Sequence, residues 1–134
     1  MLMNENREQA LDVRRKVLGD AYVEQSVGRA TPFTEPLQEF VTDHCWGYVW
    51  LRPGLDHKTR SLLNVGMLAA LGKENELRLH VGGAMRNGCT EEEVQEVLLQ
   101  VGVYAGVPAA VSAFGIARDT IAEYRRTEAE SASG

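Results

Sequence analysis

Between Leu37 and Val49 the chain places Leu37, Phe40, Val41, His44, Cys45, Tyr48 and Val49 at i, i+3, i+4, i+7, i+8, i+11 and i+12. That spacing predicts an amphipathic helix with these side chains on its buried stripe. Thr34 is placed to cap it and Pro36 falls in its first turn. Trp46 and Trp50, four residues apart, fall on a neighbouring face and need cover of their own. No segment alternates with period two, so the fold class is all-α.

The other helices follow from stop and start signals. Glu5–Leu18 carries a weak stripe of Leu11, Val17 and Leu18 and ends at Gly19; a short helix around Ala21–Val27 follows. Asp56 is the expected N-cap of a helix ending near Leu71. Its body, SLLNVGMLAAL, is apolar nearly all round, which suits a central helix or a subunit interface. The next runs from about Lys73 to Asn87, with Leu77, Val81, Ala84 and Met85 inward, His80 within that stripe and Glu76 one turn before it. Thr90-Glu-Glu-Glu93 is a capping box opening a helix whose inner face is Val94, Val97, Leu98, Val101 and Tyr104. A last helix follows Pro108 with Val111, Phe114, Ile116 and Ile121. At this length one domain is expected over 1–126, with a polar, small-residue tail at 127–134 expected to be disordered.

Charge and composition exclude several classes. Lys+Arg 14 against Asp+Glu 19 gives a net charge of −5, unsuited to nucleic acid or an anionic membrane. The near-apolar run Leu62–Leu71 is too short to span a bilayer, and the polar start MLMNENREQALDVRRK does not read as a secretory signal. Cys45 and Cys89 lack CxxC or metal-ligand spacing; they suit a reducing cytoplasm and small packed side chains. No metal or cofactor is expected.

The chemistry concentrates in HCWGYVWLRPGLDHKTRS, residues 44–61. Arg52 and Arg60 have the planar fork that grips a carboxylate, and Trp46 and Trp50 have faces that wall a flat ring. The plainer reading makes the tryptophans core and the arginines surface charges. His44 and His80 each admit a packing role or a proton-handling role, whereas His57, at a helix start, reads as solvent-facing. Glu39 and Tyr104 lie within sequence reach of the same pocket.

The strings HCWGYVWLRPGLDHKTRSL, ELRLHVGGAMRNGCTEEEVQEVLLQ and VYAGVPAA resemble the carboxymuconolactone decarboxylase family of the AhpD-like superfamily, in order and spacing, from about Arg7 to Tyr124. The W-G-x-x-W-x-R-P-G-L element is similar to the branch acting on 4-carboxymuconolactone. The resemblance implies a bundle of about six helices, a trimeric or hexameric homo-oligomer, and cofactor-free loss of carbon dioxide to give 3-oxoadipate enol-lactone in protocatechuate catabolism. The EL-x-x-H and G-x-T-x-x-E-x-x-E elements are similar to those of the wider superfamily, which includes thiol peroxidases, but the redox pair of that branch is missing. Aligned on His80, Lys73 and Glu76 stand where their C-x-x-C cysteines belong and Ser61 where their upstream glutamate belongs.

The implied substrate is its own electron sink. The protein need only grip the retained carboxylate, stabilise charge growing on the lactone oxygen and deliver a proton to carbon. The expected roles are Arg52 and Arg60 as clamps, Trp46 and Trp50 as walls, His80 as acid tuned by Glu76, and His44 as a second donor. The rival readings are a paralogue acting on another small anionic lactone or enol acid, and a non-enzymatic oligomer that binds a ligand.

Overall fold

Helices account for the architecture of the computed structural model, which describes residues 6–133, and no strand occurs among them. The seven α-helices of this described part are α1 (Arg7–Leu18), α2 (Asp20–Gly28), α3 (Glu35–Phe40), α4 (His57–Leu71), α5 (Glu74–Arg86), α6 (Glu91–Tyr104) and α7 (Val107–Ser133). A π-helical segment, Val41–Val49, continues α3. The expected first helix is found except at Glu5, which lies outside the described residues. Packing divides the chain into two compact units, one up to His57 and one from Lys58, where length alone suggested a single core.

In the first unit α1 packs on α2 and on the π segment. Gly19 ends α1 with φ 93°, a conformation that costs glycine little, and its amide bonds the Arg15 carbonyl at 2.8 Å. Ala10, Arg14 and Val17 of α1 are buried, with Thr42, Trp46 and Trp50 from the other side. Gly47 allows a close approach: a Cβ there would lie 3.2 Å from the Thr42 carbonyl oxygen and 3.5 Å from Ala10 Cβ. Arg7 grips Asp43 through both carboxylate oxygens, pinning the start of α1 to the π segment.

The expected buried stripe on this stretch is corrected. Leu37, Phe40 and Tyr48 are 58%, 61% and 55% exposed, and His44 is exposed with them. Within the π segment the reason is the i→i+5 hydrogen bonding, seen where Trp50 N bonds Cys45 O at 3.0 Å. A wider turn advances each side chain less, so the 3.6-residue stripe loses phase and Thr42, Trp46 and Trp50 turn inward instead. Thr34 precedes α3 as expected but does not cap it; its hydroxyl accepts from Thr31 N at 2.8 Å.

The second unit is built on α7, which packs along α5 and α6. Its core joins Val65 and Ala69 of α4, Leu77, Val81 and Ala84 of α5, Val94, Leu98 and Val101 of α6, and Ala113, Ala117 and Ile121 of α7. Each large apolar side chain fully buried this way contributes about 1.5–3 kcal/mol. The capping box is present: Thr90 Oγ1 accepts from Glu93 N at 3.0 Å and Glu93 Oε1 from Thr90 N at 2.8 Å. The α4 helix buries only one face, leaving Leu63, Met67 and Leu71 exposed, and Tyr104 and Val111 also point outward. Helix α7 continues through Ser133, over most of the segment expected to be unstructured. Arg126 pairs there with Glu123 and Glu130, and Tyr124 with Glu128, at the spacings that support a solvated helix.

Candidate functional site

Two groups of the expected residues have definite surroundings, one in each unit. In the second, His80 is half-buried on α5 and Asn64 Nδ2 of α4 lies 3.4 Å from its Nδ1. With the amide donating to Nδ1, the ring proton sits on Nε2. Burial pushes the His80 pKa down to about 4, against the opposing pull of the Glu76 carboxylate. The ring is therefore neutral near pH 7. Arg60 is half-buried one turn before Asn64 on α4, and Glu76 is exposed one turn before His80 on α5. Beneath Arg60, Ser61 is fully buried and its Oγ accepts from Asn87 Nδ2 at 2.9 Å.

In the first unit Trp46 and Trp50 are each 2% exposed, with ring centroids 4.9 Å apart. They are core, stacked on one another, with α1 as part of their cover. Arg52 is exposed on the turn after the π segment, its guanidinium 5.1 Å from the Tyr48 ring centroid. His44 is exposed, its ring 4.8 Å from that of Phe40. His57 is not solvent-facing: it is half-buried, with Lys16 Nζ 3.1 Å from Nδ1. Lysine only donates, so His57 Nε2 carries the proton and donates to the Trp50 carbonyl at 3.0 Å. Glu39 and Tyr104 are exposed.

Neither cysteine resembles an activated thiol. Cys89 is buried and donates to the Lys58 carbonyl at 3.6 Å, and burial pushes the Cys45 thiol pKa up. Among the described residues no group of three His, Cys, Asp or Glu is placed to hold a metal ion, and no helix is long and apolar enough to cross a membrane.

Sequence reasoning missed two residues. Asn64 was visible as the one polar side chain within the apolar run LLNVGMLAAL. Arg14 was visible as a charge three residues before Val17, on the stripe assigned to the core.

With neither thiol activated, what the described residues offer instead is a half-buried neutral histidine beside an arginine-bearing helix, an arrangement without the redox pair of a thiol enzyme. Residues 35–119 match the model of the Carboxymuconolactone decarboxylase family, and the chain belongs to that family. Among curated relatives, it is 44% identical over 127 residues to the nitrosuccinic acid decarboxylase npaB of Metarhizium robertsii, covering 90% of this chain and 89% of that one. It is 41% identical over 112 residues to the 4-carboxymuconolactone decarboxylase of Acinetobacter baylyi, covering 84% of each.

Proposed function

We propose that this protein is a cofactor-free carboxy-lyase that converts 4-carboxymuconolactone to 3-oxoadipate enol-lactone and carbon dioxide. The observation that carries the reading is His80, neutral and held at Nδ1 by Asn64, one turn of α4 away from Arg60. Loss of carbon dioxide from a carboxylate consumes one proton, because the bond electrons stay behind on the substrate and must end in a new C–H bond, here at the ring carbon next to the lactone carbonyl. Those electrons first run through the double bond to the lactone oxygen, and protonation of carbon then restores the lactone. A neutral histidine suits this stoichiometry. A dianionic ligand favours the charged ring and so raises the pKa that burial has lowered. The ring gains its proton with the ligand, gives it to carbon and returns neutral. Asn64 serves both ring states, since its amide can present nitrogen or oxygen to Nδ1.

Arg60 and Arg52 are the proposed carboxylate clamps, Glu76 the charge that limits how far His80 is depressed, and His44 a second donor. Trp46 and Trp50, expected as walls of the ligand, act in this reading from behind. Their buried stack fixes the segment that carries His44 and Arg52. The cytoplasm and a trimer or hexamer belong to the same proposal; the exposed Leu99, Val103, Tyr104, Val107 and Val111 support association.

The 44% identity to a nitrosuccinic acid decarboxylase favours a second reading, in which nitrosuccinate is the substrate. It too is a dicarboxylate with a built-in sink, since its nitro group takes the electrons as a nitronate. Purified protein incubated with each compound, with carbon dioxide and product followed, decides between them. Stoichiometric loss of carboxymuconolactone supports the first reading and turnover of nitrosuccinate alone the second. Silence with both leaves the non-enzymatic ligand binder.

A further inference from the structure

Arg14 is the anomaly in the chain's electrostatics. It is 4% exposed on α1, yet its hydrogen bonds go to neutral partners: Nη1 to Thr42 Oγ1 at 3.2 Å and Nη2 to Gln38 Oε1 at 3.0 Å. Its Nε is buried with no acceptor among the described residues. No carboxylate pairs with it there; the acidic groups whose field reaches it are the Tyr22 phenol and the Cys45 thiol, and burial keeps that thiol protonated.

Carboxylates are not scarce. Arg7, Arg15, Arg118, Arg125 and Arg126, all more exposed, each have an aspartate or glutamate partner. The fold thus neutralises arginines that water already screens and withholds a counter-charge from the one that it buries. Arginine does not escape by losing its proton, and an uncompensated buried charge is strongly destabilising. Thr42 and Gln38 fix the guanidinium plane without consuming its charge. Thr42 also lies on the π segment, a geometry uncommon in proteins and frequent at functional sites.

We propose that Arg14 is a carboxylate receptor: an anionic ligand of the small dicarboxylate class supplies the counter-charge that the fold withholds. The ligand class rests on the function proposed above; the need for an anion does not. Arg14 then acts as a specificity residue, favouring a doubly charged ligand over a singly charged one.

The test uses full-length wild type, Arg14→Met and Arg14→Lys, with succinate as an inert dianion and butyrate as the monoanion control at equal ionic strength. Melting temperature and calorimetric affinity are measured for each. Wild type is expected to be stabilised saturably by succinate and much less by butyrate. Arg14→Met, freed of a lone buried charge, is expected to melt at or above wild type without ligand and to bind succinate about a hundredfold more weakly or worse. Arg14→Lys keeps the charge without the fork and is expected to fall between them. A methionine variant that melts well below wild type and binds succinate equally would make Arg14 structural and overturn the proposal. Should that variant not fold, unchanged affinity in Arg14→Lys overturns it, as does absence of succinate binding by wild type. Arg14-dependent binding without turnover of either lactone or nitrosuccinate would uphold the receptor and refute the function. Turnover with unchanged KM in Arg14→Met would do the reverse.

Discussion

Folding should resist acid less well because of His80, and the size of the effect follows from its surroundings. Unfolded, the ring titrates near its ordinary 6.5; in the fold, burial brings it to about 4. Between these values the unfolded chain holds a proton that the folded chain refuses, so each step towards acid favours unfolding. At roughly 1.4 kcal/mol per pH unit, the interval amounts to about 3 kcal/mol of stability, complete above pH 6.5 and lost as pH falls through 4. Replacement by glutamine removes the titration and leaves a side chain able to meet Asn64. Urea unfolding followed by circular dichroism, for wild type and His80→Gln at intervals from pH 7.5 to 4, isolates the term. Other titrating groups are common to both proteins, so the difference between their stabilities should change by about 3 kcal/mol across the range, with wild type losing more. Parallel curves would refute a depressed His80 and, with it, the resting neutral ring on which the proton economy above depends.

In the same variant kcat should fall roughly 10²–10⁴-fold with little change in KM, measured by carbon dioxide release, if His80 delivers the proton. Thr90→Ala removes one half of the capping box and should cost about 1 kcal/mol in urea titration, leaving KM unchanged. Replacing Cys45 and Cys89 together by alanine, or adding a chelator, should leave turnover intact in a folded protein; its loss would revive a thiol or metal mechanism. Light scattering at micromolar concentration should give a trimer or hexamer, and a stable, active monomer would contradict the apolar exposure of Val103, Tyr104 and Val107.

The helices of the second unit were legible because their signals are local. A capping box closes within four residues, and the α5 stripe of Leu77, Val81 and Ala84 keeps the 3.6-residue period on which the reading relied. Residues 41–49 failed for the opposite reason. Periodicity analysis assumes a turn size, and π geometry changes it without any mark in composition. Of a stripe that looked buried, Leu37, Phe40, His44, Tyr48 and Val49 are exposed, and the tryptophans that looked in need of cover are the core. At the far end, polarity alone argued for disorder over 127–134. Ion pairs at i+3 and i+4 extend α7 through Ser133, while Gly134 lies outside the described residues.

Site residues divide along another line. Residue type made Arg52, Arg60 and His80 candidates, because a guanidinium fork grips carboxylates and an imidazole handles protons near neutral pH. What type does not announce is the state in which the fold holds such a group. His80 was expected as an acid, but whether it rests charged depends on its burial against the single opposing charge of Glu76. Arg14 shows the same principle from the other side. In sequence it is an unremarked charge on a weak stripe; packed against Thr42 and Gln38, it becomes a buried cation with no carboxylate partner among the described residues. A chain with a net charge of −5 had acidic residues to spare for that position. Leaving Arg14 uncompensated makes sense if the counter-charge arrives from outside, since a carboxylate of the protein's own would compete with any carboxylate of the ligand.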